Sequence, residues 1–89
     1  MNSENKWRVV VANSAEKQLS RIPRRDAERI ASAIEMSSED PFIGDIVRLS
    51  GEENLWRRRI GSYRMFFEVF RNSQTVLIQD IRRRGSKTY

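Results

Sequence analysis

The segment from residue 56 to 69, WRRRIGSYRMFFEV, constrains the fold more than any other part of the sequence. The pair Gly61-Ser62 is typical of a tight turn, and the aromatic, β-branched run after it predicts a β-hairpin. Because side chains alternate between the faces of a strand, Arg57 and Arg59 project together from the first strand. Arg64 follows the turn and reaches the same region. A guanidinium cluster on one face suits phosphate binding, although arginines also occupy solvated faces and protect edge strands.

The whole sequence predicts one α+β domain over residues 1–89, with two N-terminal helices packed on a small antiparallel sheet of about four strands. Pro23 separates the two helices, and Asn13 with Glu16 fits a capping box at the start of the first. The strands are predicted at Trp7–Ala12, Leu55–Ile60, Tyr63–Phe70 and Thr75–Arg82, the helices at Ala15–Ile22 and Arg24–Met36, and a further candidate strand at Asp45–Leu49.

The strand after the Gly61-Ser62 turn has two different faces. One face is uniformly bulky and is predicted to lie under the helices: Tyr63, Met65, Phe67 and Val69. The other begins with an arginine and becomes apolar, as in a partly grooved surface: Arg64, Phe66, Glu68 and Phe70. Ordinary core or dimer packing is the alternative interpretation of the two phenylalanines on this second face.

Composition excludes several classes of chemistry. The sequence contains neither cysteine nor histidine, which excludes disulfides, thiolate metal sites and a histidine acid or base. No metal site and no cofactor are therefore predicted. No apolar run is long enough to span a bilayer and no signal peptide is recognisable, so the chain is predicted to be soluble and cytoplasmic, with no membrane partner. The formal charge is +5, and the excess lies after residue 47, which favours an anionic partner such as nucleic acid.

The last residues of the sequence are strongly basic. Arg82, Arg83 and Arg84 are adjacent and repel one another unless anions are near, although a frayed basic tail would look the same. Tyr89 is the last residue, and an aromatic ring beside a basic cluster is what base stacking requires.

Three segments together resemble the RelE/ParE superfamily of bacterial and archaeal toxins from type II toxin–antitoxin modules. Residues 9–19, VVVANSAEKQL, look like that family's first strand and its "A-x-K-x-L" helix. Residues 56–64, WRRRIGSYR, are similar to its W-R-hydrophobic-R-V-G-D-Y-R hairpin. Residues 81–89, IRRRGSKTY, resemble its closing "I-x-H-R…Y". The resemblance extends over nearly the whole chain, from Trp7 to Tyr89.

The sequence departs from the family pattern at three positions. Arg58 stands where the family has an apolar inward residue, so either the strand is twisted there or the side chain snorkels past an edge. Ser62 replaces the usual turn aspartate. Arg83 stands where many members have histidine.

The resemblance implies a RelE-like microbial RNase fold and a toxin that is neutralised by a cognate antitoxin. RelE-like members cleave messenger RNA in the ribosomal A site by attack of the RNA 2′-hydroxyl, which leaves a cyclic phosphate and needs no metal. ParE-like members instead act on DNA gyrase and lack the RNA-cleaving residues. The hypothesis favoured by the arginines and Tyr89 is a ribosome-dependent mRNA endonuclease that inhibits translation, with the ribosome and mRNA as partners. A ParE-like, non-enzymatic gyrase inhibitor is the alternative.

The same resemblance assigns roles to individual residues. Catalysis is carried over to Arg64, Arg83, Arg84 and Tyr89, and RNA binding to Arg57, Arg59, Arg82 and Lys87. Arg64 would hold the scissile phosphate, Arg83 or Arg84 would protonate or stabilise the leaving oxygen, and Tyr89 would stack on the nucleotide. Arginine is a poor base because its pKa lies above about 12. Glu68 is the carboxylate expected on the face of Arg64, where it is either a base or the partner of an arginine.

Overall fold

The computed structural model describes residues 6–49 and 54–83. Two helices pack on a five-stranded sheet with the strand order β1-β5-β4-β3-β2. The elements are β1 Arg8–Val11, α1 Asn13–Arg21, α2 Arg24–Ser37, β2 Ile46–Arg48, β3 Leu55–Ile60, β4 Tyr63–Phe70 and β5 Thr75–Arg83. The predicted α+β fold class is confirmed.

The sheet differs from the prediction in strand number and in one pairing. It has five strands rather than about four, because the candidate strand at Asp45–Leu49 forms β2 and pairs with β3. It is also mixed, since β1 pairs with β5 in parallel while the other pairings are antiparallel. Parallel strands need a long connection, and here most of the chain separates β1 from β5. No local turn motif in the sequence therefore predicts this pairing.

The two helices form a hairpin with Pro23 between them. Pro23 precedes the first turn of α2, where its missing N–H is not needed. The predicted capping box is wrong, because α1 begins at Asn13 and its N-cap, Ala12, has no side-chain oxygen to offer. The Glu16 N–H donates to the Ala12 carbonyl at 3.0 Å instead. No helix among the described residues is long and apolar enough to cross a membrane.

The core lies between the helices and one face of the sheet, which we call the inner face. The alternate residues of β4 that were predicted to lie there, Tyr63, Met65, Phe67 and Val69, are between 0 and 5% exposed. They pack with Val76, Ile78 and Ile81 of β5 and with Ala15 and Ile30 of the helices. Full burial of each large apolar side chain contributes about 1.5–3 kcal/mol, so this face supplies most of the stabilisation.

Arg58 is the charged residue of β3 that shares the inner face. It pairs with the fully buried Met65, and its Nη1 donates to the Ala33 carbonyl of α2 at 3.4 Å. Its guanidinium lies against Gly44, whose φ of +98° suits glycine and whose Cβ, if present, would lie 2.7 Å from the Arg58 Nε. Burial lowers the pKa of Arg58. The strand is therefore not twisted so as to turn Arg58 outward. The Arg58 side chain extends beneath α2 instead.

Candidate nucleic-acid interface

The opposite side of the sheet, which we call the outer face, carries three arginines in one row. Arg59 of β3 pairs with Arg64 of β4, and Arg64 pairs in turn with Arg82 of β5. Directly opposed residues on neighbouring strands have Cα atoms about 4.5–5.5 Å apart and side chains on the same face. We call these three residues the arginine row. Like charges placed in this way repel, so the row destabilises the isolated protein and favours an anion.

The two ends of the arginine row have carboxylate neighbours, and its centre has none among the described residues. Asp80 Oδ2 lies 2.6 Å from the Arg82 Nε, and Asp45 Oδ2 lies 4.0 Å from the Arg59 Nη1. Arg64, in the middle, makes no side-chain hydrogen bond or ion pair to the described part of the chain. It is therefore the member of the row whose charge is least compensated.

Within the described part of the chain, three arginine side chains of the outer face have a buried donor without an acceptor. The Nε atoms of Arg57, Arg59 and Arg64 are shielded from solvent and find no acceptor within residues 6–49 and 54–83. An unsatisfied buried donor costs about 1–3 kcal/mol, and more when the group is charged. A phosphate oxygen accepts from such donors and compensates the charge at the same time. The Arg57, Arg59 and Arg64 cluster of the hairpin, predicted from alternation, is thus present on one face.

An aromatic ring lies beside the arginine row. Phe66 pairs with Arg57 on one side and with Asp80 on the other, and the Arg82 Cζ is 5.9 Å from its ring centroid. Phe66 and Arg82 line a pocket of about 250 Å³ together with Leu49, Leu55, Gln79 and Asp80. An aromatic ring beside guanidinium groups suits the stacking of an unpaired nucleobase.

The carboxylates of the outer face have partners other than those that the sequence predicts. Glu68 accepts a hydrogen bond from the Gln79 Nε2 at 2.6 Å rather than pairing with an arginine. It lies four residues along β4 from Arg64, roughly 13 Å away at the usual rise per residue. Asp80 is the carboxylate next to the row, and sequence analysis did not single it out. Its outward direction depends on an irregularity of β5 that alternation does not reveal.

The environment of Asp80 lowers the pKa of its carboxyl group. Burial alone would raise that pKa, but the hydrogen bonds from Arg82 and Gln18 and the positive charge of Arg82 outweigh it. Asp80 is therefore ionised at neutral pH and holds Arg82, which makes it a weak base.

Arg83 does not join the arginine row. It pairs with Tyr63 on the inner face, and its Cζ is 6.0 Å from the tyrosine ring centroid. The Tyr63 hydroxyl donates to the Asp26 Oδ2 of α2 at 3.3 Å. Burial and then the charge of Asp26 raise the pKa of Tyr63, so its hydroxyl stays protonated. The structure thus brings Arg57, Arg59, Arg64 and Arg82 together and leaves Arg83 on the other side of the sheet. Arg84, Lys87 and Tyr89 lie outside the described residues.

The described part of the outer face offers fixed positive charge rather than metal ligands. No group of three acidic, histidine or cysteine residues that would hold a metal ion occurs within the described ranges. What the geometry provides is a strip of guanidinium groups on rigid strands, with an aromatic ring beside it, which is suited to the backbone and bases of single-stranded nucleic acid.

Comparison with known proteins gives two kinds of match. Residues 9–87 match the family model described as the ParE toxin of the type II toxin–antitoxin system parDE. No match was found among curated proteins.

Among solved structures, the chain is similar to the archaeal RelE–RelB complex from Pyrococcus horikoshii OT3, with a TM-score of 0.82 and 23% identity over 92% of this chain and 99% of that one. It is also similar to the RelBE2 toxin–antitoxin complex from Mycobacterium tuberculosis, with a TM-score of 0.77 and 21% identity over 89% and 99% of the two chains. For the isolated Escherichia coli RelE toxin the TM-score is 0.77 and the identity is 14%, over 91% of this chain and 87% of that one. The fold is therefore that of RelE.

Proposed function

This chain belongs to the ParE toxin family of type II toxin–antitoxin systems and has the fold of RelE, and we propose that it is a ribosome-dependent mRNA endonuclease. In this proposal it acts in the cytoplasm, cleaves messenger RNA in the ribosomal A site, inhibits translation and is neutralised by a cognate antitoxin. It acts as an endoribonuclease with no metal or other cofactor.

The observation that carries the proposal is the arginine row with its uncompensated centre. Arg64 follows the Gly61-Ser62 turn directly, so the ladder to both neighbouring strands fixes its backbone. A donor fixed in advance stabilises developing charge better than one that must be ordered during the reaction. A gyrase-binding surface would not require three arginines aligned across three strands, two of which, Arg59 and Arg64, have buried Nε donors with no acceptor among the described residues.

The arrangement suits cleavage through the 2′-hydroxyl. The 2′-oxygen attacks the phosphorus and loses its proton, the bond from phosphorus to the 5′-oxygen breaks, and the 5′-oxygen gains a proton. The products are a 2′,3′-cyclic phosphate and a free 5′-hydroxyl. We assign the charge of the phosphorane to Arg64, the flanking backbone to Arg57, Arg59 and Arg82, and the adjacent base to the Phe66 ring.

The remaining site residues keep the roles that the resemblance gives them. Arg84 is assigned to the leaving oxygen, Lys87 to the RNA backbone and Tyr89 to stacking on the nucleotide. Arg83 would reach the same phosphate only around the end of β5, because it pairs on the inner face. We therefore assign leaving-group stabilisation to Arg84 in preference to Arg83.

The test uses the purified protein in two parallel assays. Toe-printing on mRNA in translating ribosomes should give cleavage in the A site, while supercoiling by DNA gyrase stays at its uninhibited rate. Arg64→Ala should remove the toe-print, and Arg24→Ala, whose side chain is 92% exposed on α2, should keep it. Inhibited supercoiling with intact mRNA would refute the endonuclease.

The second candidate function is gyrase inhibition, and two observations favour it. The family model that matches the chain is that of ParE. In addition, the carboxylate nearest the arginine row, Asp80, is ionised and held by Arg82, so no strong base stands beside Arg64 among the described residues. The paired assays above decide between the two functions, since only a gyrase inhibitor would block supercoiling.

The proposed antitoxin partner fits the outer face. Val47, which pairs with Arg57, and Phe70, at the end of β4, are large apolar residues of that face and are 43% and 37% exposed. An acidic, amphipathic segment that folds on binding would pair with the arginines and cover the exposed apolar side chains. Co-expression with the product of the adjacent gene should yield a stable complex and relieve growth inhibition. A chain that neither inhibits growth nor forms that complex would contradict this part of the proposal.

A further inference from the structure

The arginine row depends on an extra residue in β5. Phe66 pairs with Asp80, whereas the next residue, Phe67, pairs with Ile78, so Gln79 is left over as a β-bulge. Ile78 and Ile81 are both buried on the inner face although they are three residues apart. Strict alternation from Ile78 would instead place Asp80 and Arg82 on the inner face and turn Ile81 outward. The bulge therefore decides that Arg82 faces the outer side.

A bulge interrupts the ladder and leaves backbone groups in need of other partners. Helix α1 supplies them from the far side of the sheet. The Ser14 Oγ donates to the Gln79 carbonyl at 2.7 Å, and the Gln18 Oε1 accepts from the Ile81 N–H at 2.7 Å. Ser14 and Gln18 are one helical turn apart and so lie on the same face of α1.

Gln18 also lies close to Asp80, the residue before Ile81. It contributes to the lowered pKa of Asp80, and the Asp80 carboxylate in turn holds the Arg82 Nε at 2.6 Å. Within β4, Glu68 completes the arrangement by accepting from the Gln79 side chain at 2.6 Å. The contacts of α1 with Gln79 and Ile81 therefore fix the backbone on both sides of Asp80, and Asp80 holds Arg82.

We infer that Ser14 and Gln18 are positioning residues, which hold the bulge at Gln79 and thereby set Arg82 in the arginine row. Neither side chain belongs to the outer face, so neither is expected to touch a bound nucleic acid. This inference rests on the proposed function for its effect on RNA, but its structural part does not.

The structural part is tested by amide hydrogen exchange of the full chain, followed by NMR. Gln18→Ala removes the acceptor of the Ile81 N–H, so exchange at Ile81 should accelerate by at least about tenfold while Val69 keeps its protection. Ser20→Ala is the matched control for Ser14→Ala, because the Ser20 hydroxyl donates within α1, to the Lys17 carbonyl. Ser20→Ala should leave Ile81 unchanged.

The functional part is tested by binding a short fluorescent single-stranded RNA to double variants. In the wild-type background, Gln18→Ala should weaken binding by about threefold to tenfold, through misplacement of Arg82. In the Arg82→Ala background it should have no further effect, whereas in the Arg59→Ala background its effect should persist. A purely structural role of Gln18 would weaken binding equally in all backgrounds.

The two parts fail separately. A wild-type protein that binds no free RNA would overturn the functional part of this inference, whereas the toe-printing assay tests the proposed function separately. Hydrogen exchange alone would then decide whether α1 holds the bulge. Unchanged exchange at Ile81 in both Ser14→Ala and Gln18→Ala would overturn the inference, and so would an equal effect of Gln18→Ala on binding in the Arg82→Ala background.

Discussion

The inner and outer faces of β4 are made from the same eight residues, taken alternately, and they have opposite properties. Tyr63, Met65, Phe67 and Val69 are buried against the helices, whereas Arg64, Phe66 and Glu68 are half-buried and Phe70 is exposed. The inner face gains its free energy from burial. The outer face gathers like charges and unpaired donors, which cost free energy in the isolated protein. One strand thus separates the residues that stabilise the fold from those that we propose bind an anionic ligand.

The largest expected effect on this comparison comes from the inner face. Phe67→Ala removes a fully buried ring, and we expect it to lower the free energy of unfolding by about 3–5 kcal/mol. Urea denaturation followed by circular dichroism measures the change. Phe70→Ala, on the outer face of the same strand, is the matched control and should cost less than half as much. Equal decreases in the free energy of unfolding for the two variants would contradict the distinction between the faces.

A smaller change, this time an increase in the free energy of unfolding, is expected at Arg58, the charged residue of β3 on the inner face. Arg58→Met replaces a desolvated guanidinium, held by a 3.4 Å hydrogen bond to Ala33, with an apolar side chain of similar length. Because the charge loses hydration and has no ion-pair partner among the described residues, we expect a stabilisation of about 1 kcal/mol and unchanged RNA cleavage. The midpoint of thermal unfolding should rise. Arg24→Met on the exposed side of α2 is the control, and a loss of stability in Arg58→Met alone would contradict the interpretation.

The smallest effect concerns the pH dependence of the outer face. The folded-state pKa of Asp80 lies below its ordinary value of 3.8, so this carboxylate stabilises the fold at pH values above the unfolded pKa. The stabilisation is lost as the pH falls through the lower, folded pKa. Asp80→Asn should therefore lower the free energy of unfolding by less than about 1 kcal/mol at neutral pH and by progressively less below pH 3.8.

Denaturation of Asp80→Asn and wild type at several pH values measures this difference. Asp45→Asn is the matched control, because its carboxylate lies 4.0 Å from Arg59 and is largely exposed. A stability difference for Asp80→Asn that stays constant down to pH 2 would show that the ionised carboxylate is not the stabilising group.

The sequence predicts those features that depend on neighbouring residues. Alternation along β4 identified the buried face, and the Gly61-Ser62 turn placed Arg64 in the same region as Arg57 and Arg59, where the structure pairs it with Arg59. Alternation could not assign Arg82 and Arg83 to their faces, because the extra residue at Gln79 is held by side chains of α1 more than sixty positions earlier. The parallel pairing of β1 with β5 has no local signal either. Both features depend on contacts between segments that are distant in the sequence, which local patterns do not predict.

The most direct test of the account compares two neighbouring residues of β4, Arg64 and Met65, by measuring the free energy of unfolding and the rate of mRNA cleavage for each alanine variant. Arg64→Ala removes an unsatisfied buried donor and a like charge, so the variant should be at least as stable as the wild type. It should lower the cleavage rate by about two to three decades, since one preorganised donor contributes about 3–4 kcal/mol. Met65→Ala should lower the free energy of unfolding by about 2–5 kcal/mol. Wild-type cleavage by a folded Arg64→Ala protein, or a loss of stability equal to that of Met65→Ala, would contradict the account.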